Sequence, residues 1–235
     1  MPFTAYLNGN TVLISSFTEL DRGKDFRCKL CNEKMTLVFS SVYSNHFRHL
    51  VSSCGNYETI EHLMMKKTLS EWLNKFNYTY EIEALIIDDR EIKNIIDILV
   101  DKGKTKIAIE CQHSKLSYWE ADLRTRNLNK KGFFVLWVLD HLTFASNKVT
   151  DLEKFLHRIY FGRVYYLLHN RLRPIHFVRV KRYNDYKDYY YTLKRTRKKI
   201  LGKIIDKPLF LLKTVTDIKT KEKYKIAMFN EKKFW

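Results

Sequence analysis

No apolar run in these 235 residues approaches the roughly 20 that a bilayer-spanning helix needs. The opening "MPFTAYLNGN" lacks a basic stretch followed by an apolar one, so no secretory signal is visible. Glycine and proline are scarce, at 7 and 3, and there is neither a Gly/Ser linker nor a low-complexity repeat. Cysteine is limited to Cys28, Cys31, Cys54 and Cys111, and three of these cluster. In a chain with no secretory signal, a CxxC pair points to metal or redox chemistry before a disulfide framework. Acids are also in short supply: 26 Asp and Glu face 43 Lys and Arg, for a formal charge of +17. Such an excess favours polyanions through phosphate contact and counterion release. No basic amphipathic segment stands out as a membrane anchor. What remains is a soluble, cytoplasmic protein with no membrane partner. Its 45% hydrophobic share suits either one sizeable core or a small module plus a larger domain.

The pattern along the chain predicts a mixed fold. Residues 5–16, "AYLNGNTVLISS", read as a hairpin around Asn8-Gly9. The segment "FRCKLCNEKMTLVFSSVYSNHFRH" is short and turn-rich, and is expected to bury little core by itself. A helix is predicted over 58–76, with His62, Met65, Leu69, Leu73 and Phe76 on one face and Lys66 bordering it. Strands follow at 79–87, 92–101 and 105–113, with short polar links that favour antiparallel neighbours. Ser117, followed three residues later by Glu120, matches a capping box for a helix to about Lys130. The run "GFFVLWVL" (132–139) reads as a buried strand. The order is therefore αβββαβ. The last third is a basic, Tyr-rich appendage continuous with the core. The segments are 1–56, 57–145 and 146–235.

Several constellations carry chemistry. Cys28 and Cys31, then His46, His49 and Cys54, offer five candidates for the four ligands of a tetrahedral zinc. Either both histidines or one histidine plus Cys54 would complete the site. The plainer alternative is a reduced thiol pair with ordinary histidines. The strand "KTKIAIECQHSK" sets Glu110 and Gln112 on one face, and Asp97 interrupts the preceding strand. Two converging carboxylates suit Mg²⁺ or Mn²⁺, which orients water and stabilises charge on a phosphate. The alternative is that Asp97 and Glu110 each pair with a lysine. His62 and Lys66 would sit at the rim of that site, the lysine as a point charge for phosphate; otherwise they are a satisfied histidine and a snorkelling lysine. Arg124 on the capped helix could clamp a phosphate near Ser114, whereas Arg126 reads at least as well as a solvated helix residue. The tail from Arg171 to Lys199 holds Arg173, Arg179, Lys181, Arg182, Lys194, Arg195, Arg197 and Lys198, interleaved with Tyr183, Tyr186, Tyr189, Tyr190 and Tyr191. Cations with aromatics suit single-stranded nucleic acid, unless the tyrosines simply pack.

The order "CKLC … HFRH … EHLMMK … IIDILV … IECQHS … R" resembles the competence protein CoiA family over roughly residues 5–140. The resemblance implies a restriction-endonuclease-like αβββαβ core of the PD-(D/E)xK type, α+β or α/β, with an N-terminal zinc-ribbon-like module. It implies a divalent-metal-dependent deoxyribonuclease acting in DNA processing or recombination. Asp97 and Glu110 would bind catalytic Mg²⁺ or Mn²⁺, and Zn²⁺ would be structural. Gln112 stands where the superfamily usually has Lys and would position water. His62 and Lys66 match the family's helix motif, and Arg124 its following-helix Arg. The chain departs from the family at "NIID", where an Arg often precedes the Asp. An amide at 112 cannot supply positive charge, so Lys66 would have to take over that role. The rival readings are a non-catalytic DNA-binding accessory factor and a site-specific restriction or mobile-element endonuclease. The oligomeric state is open, a homodimer included.

Overall fold

The computed structural model describes residues 2–41, 44–51, 59–87, 93–144, 148–183 and 193–230. It is a mixed α+β protein with more strand than helix. The chain packs as two units, Met1–Cys111 and Gln112–Trp235. Among the described residues, no helix is long and apolar enough to cross a membrane.

The first unit opens with β1 (Thr4–Leu7) and β2 (Asn10–Leu13), paired antiparallel with Leu7 opposite Asn10. The two-residue turn needs positive φ at both positions, and Asn8 (51°) and Gly9 (79°) supply it. β3 (Phe26–Arg27), β4 (Lys34–Val38) and β5 (His46–His49) complete a five-stranded sheet in the order β2-β1-β3-β4-β5. Of the turn-rich segment, Phe26, Cys28, Met35, Leu37 and Phe47 are buried, in one cluster with Phe3, Ala5 and Ile14 from the preceding residues and Leu63 from the following ones. Phe26 is the hub, with ring centroids 4.9 Å from Phe17 and 5.0 Å from Phe47. Phe26 on β3 and Phe47 on β5, with Phe3 and Phe17 from outside the strands, supply the aromatic part of that core.

α1 (Ile60–Lys75) follows, its first turn capped by the Thr59 hydroxyl, which accepts from the His62 amide. Leu63, Met65, Leu69 and Leu73 are buried at helical spacing. β6 (Thr79–Ile87), β7 (Lys93–Asp101) and β8 (Lys106–Gln112) then run antiparallel in sequence order. Val, Ile and Leu alternate along them, with Ile96, Ile98, Val100, Ile107 and Ile109 almost wholly buried.

In the second unit, Ser117 and Glu120 form the capping box of α2 (Tyr118–Lys130), and β9 (Phe134–Asp140) is the buried strand. The Thr125 hydroxyl accepts from the Trp137 indole at 2.9 Å, tying helix to strand. α3 (His141–Phe144) is a single turn; α4 (Asp151–Ile159) is capped by Thr150 and Glu153. β10 (Val164–Leu168) pairs parallel to β9, and β11 (Arg171–Tyr183) pairs antiparallel to both β10 and β12 (Leu193–Leu201). β13 (Phe210–Thr216) and β14 (Lys223–Phe229) form a hairpin, and Ile226 of β14 pairs with Val135 of β9.

Candidate functional site

The N-terminal sheet builds a ligand corner. The turn after β3 brings the Cys28 and Cys31 sulfurs and a His49 ring nitrogen within 4.8 Å of one another. Cys31 Sγ lies 3.3 Å from His49 Nε2. A tetrahedral thiolate site has edges of roughly 3.8 Å, so these donors fit a metal such as zinc. The turn is set by Asn32 in a left-handed conformation (φ 61°), and the Leu30 amide donates to Cys28 Sγ at 3.4 Å. Burial pushes the Cys28 thiol up to about 11 and holds His49 below its usual range, which favours the neutral imidazole that ligates metals.

His46 does not join this group. Three residues apart on β5, His46 and His49 point to opposite faces of the strand, and His46 Nδ1 lies 3.0 Å from the Ser44 carbonyl oxygen. The HxxH spacing would align two imidazoles on a helix but separates them on a strand. Cys54 lies outside the described residues.

A second cluster forms where α1 faces β6 and β7. Ile98 pairs with Ile109, and Glu83 falls between the Ile82–Ile98 and Ala84–Ile96 pairs, so the register sets Asp97 level with both Glu83 and Glu110 on three adjacent strands. All three are buried: Glu83 2%, Asp97 7% and Glu110 2% exposed. Asp97 Oδ2 accepts from the Cys111 amide at 2.8 Å and lies 3.2 Å from His62 Nε2. One helical turn on, Lys66 makes an ion pair with Glu83 and is itself 1% exposed. The ammonium expected to meet a phosphate is therefore held in the interior.

Glu83 and Lys29 escaped the sequence reading. The Glu83 carboxylate also accepts from the Phe3 and Thr4 amides, each at 2.9 Å, and from the Thr4 hydroxyl at 2.7 Å. Its backbone carbonyl accepts from Lys29 Nζ at 2.6 Å. Burial depresses the Lys29 ammonium, with Glu81 and Glu83 opposing that effect. Glu83 sits at φ 54°, a left-handed conformation inside a strand that costs roughly 1–3 kcal/mol. The available signal was "YEIEALII", whose second acid falls where the strand turns apolar, together with a lysine between two candidate ligand cysteines.

The other expected residues lie in the second unit. Gln112 Nε2 donates to the Ser114 carbonyl (2.8 Å) and hydroxyl oxygen (3.1 Å). Arg124 is half-buried on α2. Arg126 is not simply solvated: it pairs with Asp122 at 2.9 Å, and Asp122 also accepts from the Tyr224 hydroxyl at 2.6 Å. Lys199 Nζ bonds the Phe144 carbonyl at 2.7 Å and pairs with Glu153, a fully buried acid that also accepts from Tyr166. Burial and Glu153 raise the Tyr166 phenol well above its ordinary value. Arg195, Arg197 and Lys198 lie on β12, opposite Lys181, Arg179 and Val178; only their backbone is described. Tyr186, Tyr189, Tyr190 and Tyr191 lie outside the described residues.

Residues 58–162 match a nuclease-like domain, and the matching family model is that of "Competence protein CoiA, nuclease-like domain". That match supports the competence protein CoiA-like family for this chain, and a nuclease-like, competence-related role. No curated protein matches the sequence. The solved crystal structure of a protein of unknown function, AF1548, aligns over 32% of this chain at 12% identity and a TM-score of 0.28. The chain covers 45% of that protein's length.

Proposed function

We propose that the protein is a cytoplasmic, divalent-metal-dependent deoxyribonuclease with a PD-(D/E)xK-type, restriction-endonuclease-like core within 57–145. A zinc-ribbon-like module (1–56) and a basic extension (146–235) would flank that core. The observation that carries this reading is the buried acidic level Glu83–Asp97–Glu110 beneath α1, inside the segment that matches the CoiA nuclease-like domain. Mg²⁺ is typically held by one or two carboxylates, with water and substrate phosphate completing its shell. Two buried acids at facing strand positions fit that requirement, so Asp97 and Glu110 would hold Mg²⁺ or Mn²⁺. Such an ion supplies charge stabilisation at phosphate and a more acidic water. His62 from α1 and the Cys111 amide both meet Oδ2 of Asp97, which would orient that carboxylate. Gln112 would present its carbonyl oxygen to a water while Ser114 holds its amide nitrogen. Arg124 and the β12 cations would contact DNA phosphates.

One observation favours a second reading, a DNA-binding accessory factor without cleavage. Residue 112 is an amide, and Lys66 is committed to Glu83, so neither offers an exposed cation at the acidic level. The deciding experiment incubates purified protein with labelled single- and double-stranded DNA in Mg²⁺, Mn²⁺ or EDTA. Metal-dependent cleavage that vanishes in Asp97→Asn and Glu110→Gln is expected. DNA binding without cleavage in any metal would favour the accessory factor, and cleavage into defined bands would indicate a site-specific endonuclease.

A further inference from the structure

The pairing of β6 with β7 passes from Ile82–Ile98 to Ala84–Ile96 and steps over Glu83. At that point the backbone turns left-handed and the carboxylate is buried against α1 and β1. We propose that Glu83 is a positioning residue of the Asp97–Glu110 centre: it fixes and neutralises Lys66, so that this ammonium does not compete with a divalent cation for the two acids. The inference rests on the metal site of the nuclease reading.

The geometry is a match of two repeats. Four residues along a helix rise about 6 Å, and neighbouring strands lie about 4.8 Å apart. His62 and Lys66 therefore stand over adjacent strands, and they meet Asp97 and Glu83 respectively. Without a carboxylate at 83, the Lys66 charge would turn to the next acids along this level. It would then act as a built-in substitute for the metal. The support for Glu83 comes from the N-terminal sheet: Phe3 and Thr4 donate to the carboxylate, and Lys29, next to Cys28, holds the carbonyl. The zinc-ligand sheet thus takes part in shaping the acidic centre through a residue that never touches substrate.

The test is a calorimetric titration of Mn²⁺ into zinc-loaded full-length protein without DNA, comparing wild type, Glu83→Gln, Lys66→Met and the double variant, with folding checked by circular dichroism. Glu83→Gln is expected to weaken Mn²⁺ about tenfold, Lys66→Met to tighten it severalfold, and the double variant to return within about threefold of wild type. A merely structural role would lower the unfolding midpoint without this coupling. Folded Glu83→Gln with wild-type affinity overturns the proposal, as does a double variant that stays as weak as Glu83→Gln. If Glu83→Gln does not fold, Thr4→Val removes one donor to the carboxylate and should weaken Mn²⁺ about two- to threefold; unchanged affinity there overturns the proposal equally. A wild type that binds no Mn²⁺ defeats the metal reading and this inference together, whereas wild-type binding with no coupling defeats this inference alone.

Discussion

Lys66 and Glu83 form an ion pair in the interior of the first unit, each side chain 2% exposed. Glu83 also accepts from two backbone amides of the N-terminal strand, so the two partners are not equivalent. Removing one member of a buried pair strands the other's charge and costs about 3–5 kcal/mol. Lys66→Met should lose stability on that order. Glu83→Leu should lose more, because the Phe3 and Thr4 amides are orphaned as well, at about 1–3 kcal/mol each. Urea unfolding midpoints measure both. Equal midpoints, or a milder Glu83→Leu, would show that the amides find other partners.

The ligand corner predicts about one zinc per chain in protein purified without added metal. Cys28→Ser, Cys31→Ser and His49→Ala should lose it, whereas His46→Ala should keep it, because His46 faces away on β5. Zinc affinity should also fall as pH falls. Burial keeps the metal-free Cys28 thiol protonated until about pH 11, so at neutral pH metal uptake expels that proton. Lowering pH adds the competing proton and weakens binding by up to about tenfold per unit for each proton released. Zinc content by elemental analysis and a competition titration at pH 6, 7 and 8 check both points. Zinc lost from His46→Ala would put that residue back among the ligands.

Much of this architecture was legible because the periodicities are clean. The hairpin at Asn8-Gly9, the helix under His62–Leu73, the three antiparallel strands and the Ser117–Glu120 cap all follow from local chemistry, and all are present. What escaped depends on pairing across the chain. The spacing of His46 and His49 looks like a ligand pair until the strand assignment separates their faces. Glu83 looks like one of several strand acids until the N-terminal strand and α1 close over it. Lys199 looks like a phosphate contact until Glu153, forty-six positions earlier in the chain, turns out to lie buried beside it. In each case the sequence shows residue type and local period, while the partner comes from a distant segment.

Gln112 should matter less than the acids. Its amide nitrogen is tied to Ser114, so the side chain orients rather than carries charge. In the nuclease reading, Asp97→Ala and Glu110→Ala should abolish cleavage in Mn²⁺ while retaining DNA affinity. Gln112→Ala should slow cleavage about tenfold, a positioning loss of roughly 1.4 kcal/mol. Gln112→Lys should retain activity, since it restores the commoner residue of the superfamily. Initial rates with circular dichroism controls measure this series. Folded acid variants that cleave like wild type would remove Asp97 and Glu110 from the centre.

DNA binding should be strongly salt-dependent, and the basic β11–β12 ribbon offers a specific test. Arg195, Arg197 and Lys198 stand opposite Lys181, Arg179 and Val178, a dense run of cations on two paired strands. Each phosphate contact contributes about 0.9 to the slope of log affinity against log salt on double-stranded DNA. Neutralising Arg195, Arg197 and Lys198 together should therefore flatten the slope by up to about 2.7 if all three meet phosphates. Lys199 belongs in a separate variant. Its ammonium bonds the Phe144 carbonyl and pairs with fully buried Glu153, so Lys199→Ala should unfold the second unit more readily, by about 3 kcal/mol or more, with little change in slope. Salt titrations of affinity and thermal melts on the two variants separate these effects. A triple variant with the wild-type slope would move the DNA surface away from this ribbon. A Lys199→Ala protein of normal stability that binds with a flattened slope would make that lysine a phosphate contact after all.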